Sequence, residues 1–382
     1  MTSWEQVLAR RLARHHLAGE PGPTPAHVVA AICGAHAQIL TAGELSVGIR
    51  LAGAVRDDVR AAVWTDRTLV KTFGPRGTVH LLPTRDLPMW TGALAAIPRP
   101  LPSFGPGIRL EPDQLEQIVA GIGIVLADTE LTVDELTEAL AEQVGGWAVE
   151  RCMPAFQQLW PRWRQAVDTA AARGVLCFGA DRNRMVTYTS PRRWLPGLVP
   201  LDGPAAQGQL LRRYLWSYGP ATAEHVARWL NAPAPWAVAL FATEAAAGRI
   251  EPVRLDGVDT WTVAGDADFP AGPPRGLRLL PYFDAYAVGS HPRERVFPGR
   301  AADRALSRGQ AGNFPVLLLD GTVGGVWHQK RAGKFLEVTV EPLHELSAAR
   351  RRALDAEVQR IGAFAGLTPR LRIGPVTVGP HA

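Results

Sequence analysis

Residues 68–83 read TLVKTFGPRGTVHLLP. β-Branched and apolar residues flank a Gly-Pro-Arg-Gly turn, so the stretch predicts a β-hairpin. What precedes it decides the kind of domain. Trp4, Val7, Leu8 and Leu12 recur at helical spacing within residues 3–17. Thr24-Pro25 then opens a second helix, with Thr as N-cap and Pro at the first helical position, predicted to run on through HVVAAICGAHAQIL. Further helical stretches are expected at Glu44–Ala54 and Asp57–Trp64. Helices followed by such a hairpin give the order of a winged helix.

The same order recurs downstream. Thr132, with Glu135 three residues later, is a capping-box start. A long helix is expected over Pro154–Ala172, and GVLCFGADRNRMVTYTS, 174–190, reads as a second hairpin with Arg182 and Arg184 at its tip. A third copy has helices at Ala205–Trp216, Thr222–Leu230 and Pro235–Ala247, with Glu251–Val263 as its wing. DADFPAGPP, 266–274, breaks the pattern. Beyond it, apolar runs alternate with Gly turns, interrupted by a helix at Leu346–Gly362 and closed by a strand at Arg370–Val378. The expectation is an α+β chain of three winged-helix units, residues 1–108, 109–202 and 203–265, followed by a β-rich unit, 275–382.

Composition narrows the class. A hydrophobic share of 47% with 20% charged residues belongs to a folded protein. The formal net charge of +5 suits a polyanionic partner without requiring one. Of 41 basic residues only Lys71, Lys330 and Lys334 are lysines. That bias is compatible with phosphate contacts through the guanidinium fork, and equally with GC-rich coding. Cys33, Cys152 and Cys177 are too scattered for a disulfide framework or a zinc site. The N-terminal stretch lacks the apolar core of a signal peptide, and the longest apolar run, Ile118–Ala127, is too short to span a membrane. A cytoplasmic protein without membrane association is expected.

The usual reactive motifs are missing. There is no dinucleotide fingerprint, P-loop, HExxH or nucleophile elbow. Gly321-Thr-Val-Gly-Gly lies between strand-like runs and reads as a hairpin turn. No metal or cofactor is expected. Lys71 is the only lysine ahead of the β-rich unit, which argues against Schiff-base chemistry. What remains is His36-Ala37-Gln38. By itself the tripeptide is a weak signal, and a partly buried polar pair at a helix end reads the same way. Geometry adds a condition. Positions two apart diverge on a helix but face the same way in an extended segment, so joint action requires non-helical backbone here. Gly34 makes such a turn plausible.

At these residues the chain resembles the AlkZ-like DNA glycosylases. The resemblance rests on the HAQ tripeptide followed by GIRLAG, the hairpin RGTVHLLP at 76–83, LLPYFDAYAVGSHPRER at 279–295 and DGTVGGVWHQK at 320–330. It implies three tandem winged helices forming a curved clamp around DNA, with a β-rich C-terminal part. It also implies monofunctional excision of N7-alkylated purines, including bulky natural-product adducts and some interstrand crosslinks. The family's motif is commonly Gln-x-Gln, and His36 makes this the less common His-x-Gln version. Relatives from antibiotic producers often protect the host from its own genotoxin, so repair or self-resistance is the implied setting.

The residue types fit that chemistry. N7 alkylation makes the purine cationic, hence a good leaving group needing no strong acid. His36, if neutral, can accept a proton from an attacking water, and Gln38 can orient that water and face the cationic sugar. Arg76, Thr78 and His80 on the first wing are candidates to touch the lesion or its backbone. Arg182, Arg184, Lys330 and Arg331 are candidate phosphate contacts. The expected partner is duplex DNA carrying alkylated purines, bound by a monomer and engaged without full base flipping. The alternative is a non-enzymatic winged-helix regulator or adduct-sequestering protein.

Overall fold

The computed structural model describes residues 2–98, 104, 105, 107–155 and 158–381. The first group of elements is α1 (Trp4–Arg14), α2 (Pro25–Ala31), β1 (Ala35–His36), α3 (Leu40–Gly48), α4 (Arg56–Trp64), β2 (Leu69–Phe73), β3 (Val79–Pro83) and α5 (Leu87–Ala96). The second is α6 (Pro112–Val125), β4 (Glu130–Thr132), α7 (Val133–Gln143), α8 (Gly146–Val149), β5 (Arg151–Ala155), β6 (Gln158–Pro161), α9 (Val167–Ala172), β7 (Cys177–Phe178) and β8 (Thr187–Thr189). The third is α10 (Gly203–Tyr218), α11 (Ala223–Leu230), α12 (Ala234–Ala246), β9 (Ile250–Leu255) and β10 (Val258–Val263). The fourth is β11 (Leu277–Leu280), α13 (Ala285–Gly289), α14 (Arg293–Val296), α15 (Arg300–Ala305), β12 (Val316–Leu319), β13 (Thr322–Ala332), β14 (Phe335–Pro342), α16 (Ala348–Ala365) and β15 (Thr368–Ile373). The fold is mixed α+β. Among the described residues no helix is long and apolar enough to cross a membrane.

Helices begin where caps are available. Thr24, Thr132, Thr222 and Ser347 each accept a backbone N–H in the first turn of the helix they precede. Glu135 returns the bond to Thr132, completing the expected capping box. The C-terminal sheet runs β11-β12-β13-β14-β15, antiparallel except for β15, which lies parallel to β14. The Asp320-Gly321 turn joins β12 to β13, as the spacing of that glycine run suggested.

The first hairpin explains the position of everything functional. Its sheet has the order β1-β3-β2. Directly paired residues share a face, so the register sorts the side chains into two sets. Ala35, Leu69, Val79 and Leu81 enter a core shared with the second group and the C-terminal sheet. Val70 and Leu82 enter a second core beneath α5 and α10, together with Cys33, Tyr214 and Trp229. Both faces are covered, which is why the strands read as nearly continuous apolar runs rather than as an alternation. Along the second face the side chains turn polar, through Thr72, His80 and His36.

Several sequence expectations need correction. Pro154–Ala172 is not one helix. Pro154 and Leu159 face each other in the β5–β6 ribbon, a 3₁₀ turn follows over Arg162–Ala166, and only Val167–Ala172 is α-helical. Pro161 pushes its predecessor toward extended backbone, which the helical spacing of Leu159, Trp163 and Val167 disguised. Phe156 and Gln157, inside that expected helix, lie outside the described residues, as do 99–103 and 106 beside the expected boundary at 108. The second helix stops at Ala31 instead of continuing through His36 and Gln38. The third begins at Leu40 and ends at Gly48, and the final strand ends at Ile373.

Candidate active site

The bend that ends α2 creates the site. Cys33 and Gly34 both take positive φ, 53° and 94°, and turn the chain back toward β3. Glycine suits the second position because a Cβ there would meet Leu82 at 3.0 Å in a backbone conformation that L-residues disfavour. His36 then pairs with His80 in antiparallel register, and the Ala37 N–H donates to the Val79 carbonyl at 2.7 Å. The strand is short, Ala35–His36, and the chain bends at Gln38 before the next helix. The Gln38 amide oxygen accepts a long contact from Val79 N–H at 3.5 Å, and its side chain is exposed. His36 retains 8% exposure. One group reaches solvent and the other sits just beneath it.

The His36 ring is packed on both sides. It meets the His80 ring edge-on, centroids 5.2 Å apart, and lies against Phe283 at 4.5 Å. Burial, with Arg76 and His381 nearby, pushes its imidazole down to about 3. It is therefore neutral at physiological pH and a feeble base. An ordinary histidine is what the sequence leads one to expect; the buried His36 is a far weaker base, able to accept a hydrogen bond from a water. His80 is 4% exposed, and burial and the same cationic surroundings hold it well below the usual histidine range. Its Nδ1 lies 2.8 Å from the Thr78 carbonyl, which can only accept, so Nδ1 carries the proton. Buried beneath His36, it braces that ring and does not reach outward to DNA.

Elements distant in sequence hold the cover in place. Asp284 forms a two-pronged ion pair with Arg50, both contacts at 2.8 Å, and both side chains are fully buried. Ser46 donates to the same carboxylate at 2.7 Å. The pair joins GIRLAG to PYFD and fixes Phe283 on His36. Phe283 has φ of 55° and donates its N–H to Gly312 O at 2.9 Å. A Cβ on residue 312 would come within 2.7 Å of the Phe283 ring, so only glycine lets the two segments approach. The His381 ring also packs edge-on against Phe283, centroids 5.6 Å apart.

The other expected contacts are spread out. Arg76, at φ 62°, turns its guanidinium toward the end of α11 and donates to Trp229 O at 2.9 Å. Thr78 ends the turn ahead of β3, and its hydroxyl donates to Pro75 O at 3.0 Å. Arg182 pairs with Glu135 at the start of α7, while Arg184 is exposed and has no ion-pair partner among the described residues. Lys330 and Arg331 are exposed near the C-terminal end of β13, where Arg331 donates to Gly333 O at 3.2 Å, and neither bonds to His36 or Gln38 among the described residues. Lys71 is 8% exposed, with its ammonium 4.6 Å above the Phe178 ring. Two neighbours of His36 escaped the sequence reading. Phe283 lay within the quoted 279–295 motif without a role, and His381 carried no signal at all.

Two comparisons cover this architecture from end to end. An interstrand DNA cross-link repair glycosylase of Streptomyces sahachiroi is 29% identical over 375 residues, 96% of this chain and 97% of the relative. The solved structure of the Streptomyces sahachiroi DNA glycosylase AlkZ superposes with a TM-score of 0.83 at 27% identity, covering 98% of this chain and 100% of that one. The family described as DNA glycosylase AlkZ-like matches residues 29–364, a span that holds His36, Gln38, Arg50, Phe283 and Asp284. The chain belongs to the AlkZ-like DNA glycosylase family.

Proposed function

We propose that this chain is a monofunctional DNA glycosylase that hydrolyses the N-glycosidic bond of bulky N7-alkylated purines in duplex DNA. We read its first three groups of elements, 1–108, 109–202 and 203–265, as tandem winged-helix units. With the β-rich part at 275–382 they would form a curved clamp that works as a monomer. The observation that carries the reading is that the helix stops ahead of His36 and Gln38, leaving both beside β3, the amide exposed and the imidazole nearly buried.

The chemistry asks little of these groups. The bond from the sugar C1′ to purine N9 breaks with its electron pair going to the purine, which neutralises the cationic base. A water oxygen then bonds to C1′, and its proton passes to solvent. Gln38 orients that water and offers its carbonyl oxygen to the cationic sugar. Neutral His36 accepts one hydrogen bond from the same water. Such weak machinery suffices only for a leaving group that is already activated, which would spare undamaged bases. A buried Lys71 packed over an aromatic ring is a poor candidate for amine attack on the sugar, which supports hydrolysis by water alone. Repair or self-resistance follows from the same substrate class.

Arg184, Lys330 and Arg331 remain the freest candidates for phosphate contact, while Arg182 would first have to leave Glu135. The test is release of N7-alkylguanine from a modified duplex, followed by hot-alkali cleavage at the abasic site. Wild type is expected to give strand cleavage, and a His36→Ala, Gln38→Ala double variant to bind the duplex but release little base. Undiminished release by the double variant would remove the site assignment. Binding without release by the wild type would favour a sequestering protein.

A further inference from the structure

The segment after β15 is anchored along the C-terminal sheet and delivers a side chain to the edge of the site. Gly374 N–H donates to Val340 O at 2.9 Å, Val376 N–H donates to Glu341 Oε2 at 2.7 Å, and Arg304 donates to Val376 O at 2.8 Å. The last anchor is His381 N–H to Asn313 O at 2.9 Å. Asn313 follows the glycine that admits Phe283, so the strap and the His36 cover share one loop. The His381 ring packs against Tyr282 and Phe283, each at 5.6 Å between centroids. The residue is exposed, and its ring nitrogens have no hydrogen-bond partner among the described residues.

Packing fixes this imidazole through its carbons and leaves its polar atoms to solvent, the arrangement expected of a group that recognises something external. Its place in the stack limits what that is. His381 packs edge-on against Phe283, the ring that lies on His36, and so stands beside the site rather than within it. It is exposed at the edge of that cover. A neighbouring sugar-phosphate oxygen matches a donor so placed.

We propose that residues 374–381 form a strap that sets His381 against the DNA backbone beside the lesion, as a phosphate-contacting residue of the site. This rests on the glycosylase reading for the identity of the bound duplex, but its test is a binding measurement. His381→Ala removes an exposed side chain and leaves the four backbone anchors in place. Affinity for an N7-methylguanine duplex is expected to fall by roughly three- to tenfold, the worth of one hydrogen bond. His381→Arg, which supplies a permanent cation, is expected to restore affinity. Its plot of log Kd against log salt should be steeper than that of the alanine variant by about 0.9, one further phosphate neutralised. Two outcomes overturn the proposal: alanine and arginine variants that both bind like wild type, or variants equally weakened, which would make the ring mere packing for Phe283. If wild type binds the duplex but releases no base, the glycosylase reading fails while this comparison of affinities still stands.

Discussion

His36 shows how far a side chain's chemistry can depart from its type. Its motif was legible in the sequence, and the structure ends the preceding helix before it and pairs His36 with His80. Its weak basicity was not, since the burial responsible comes from Phe283, a residue far along the chain, and from His80 across the hairpin. The consequence is kinetic. An imidazole held near pH 3 is neutral across the physiological range, so protonating His36 does not limit excision there. Single-turnover base release should vary less than about twofold between about pH 5 and 8, where an ordinary histidine would titrate. A sigmoidal fall in rate centred near pH 6.5, absent from a His36→Gln variant, would mean that the ring is more exposed in the complex than here.

At the scale of elements, the Arg50–Asp284 pair is the joint between the first group and the C-terminal part. It is fully buried, and Asp284 also accepts the Tyr286 N–H at 3.0 Å, capping α13. Replacing Asp284 by alanine would strand a buried guanidinium whose remaining bonds run only to Ser46. The expected cost is about 3–5 kcal/mol, read as a lower urea midpoint at unchanged slope. Filling the same space with apolar groups, as in Arg50→Met, Asp284→Leu, should recover much of that loss while leaving Phe283 less firmly placed over His36. A loss below about 1 kcal/mol for Asp284→Ala would show that the joint is not structural. The sequence displayed both partners within its quoted motifs, yet pairing across more than two hundred residues has no local signature. Local signatures worked where bonds are local, as in the capping box at Thr132 and Glu135. They misled at Pro154–Ala172, where helical spacing competed with two prolines and the ribbon won.

Across the whole molecule, the striping of apolar residues foretold the helices and wing of the third group, but neither the β5–β6 ribbon nor the place of the first hairpin between two cores. That placement buries polar groups as well. His15, His36, His80 and His291 are all at most 8% exposed, and His225 is half-buried. Burial is the first cause pushing each of them down, to about 3 for His36 and about 4 for His225, with nearby arginines adding to it. Arg11 and Arg50 both push His15 down, against a hydrogen bond with the Ser217 backbone that acts the other way. The sign follows directly. Folded-state values lie below the unfolded value of about 6.5, so the unfolded chain binds protons that the native state refuses. The neutral rings cost nothing on this account above pH 6.5. Stability is then lost progressively as pH falls through the window down to the folded values. Each such histidine contributes a limiting slope of about 1.4 kcal/mol per pH unit, so several together make a steep acid transition. Thermal midpoints at fixed ionic strength should be level from about pH 7 to 8 and drop steadily between about pH 6 and 4.5, before most carboxylates protonate. Replacing His291 with a neutral, non-titrating glutamine should flatten that drop by close to one histidine's share, whatever it does to the midpoint at pH 7. An unchanged slope in that variant would mean that water enters around these rings and that the interior is less closed than the packing implies.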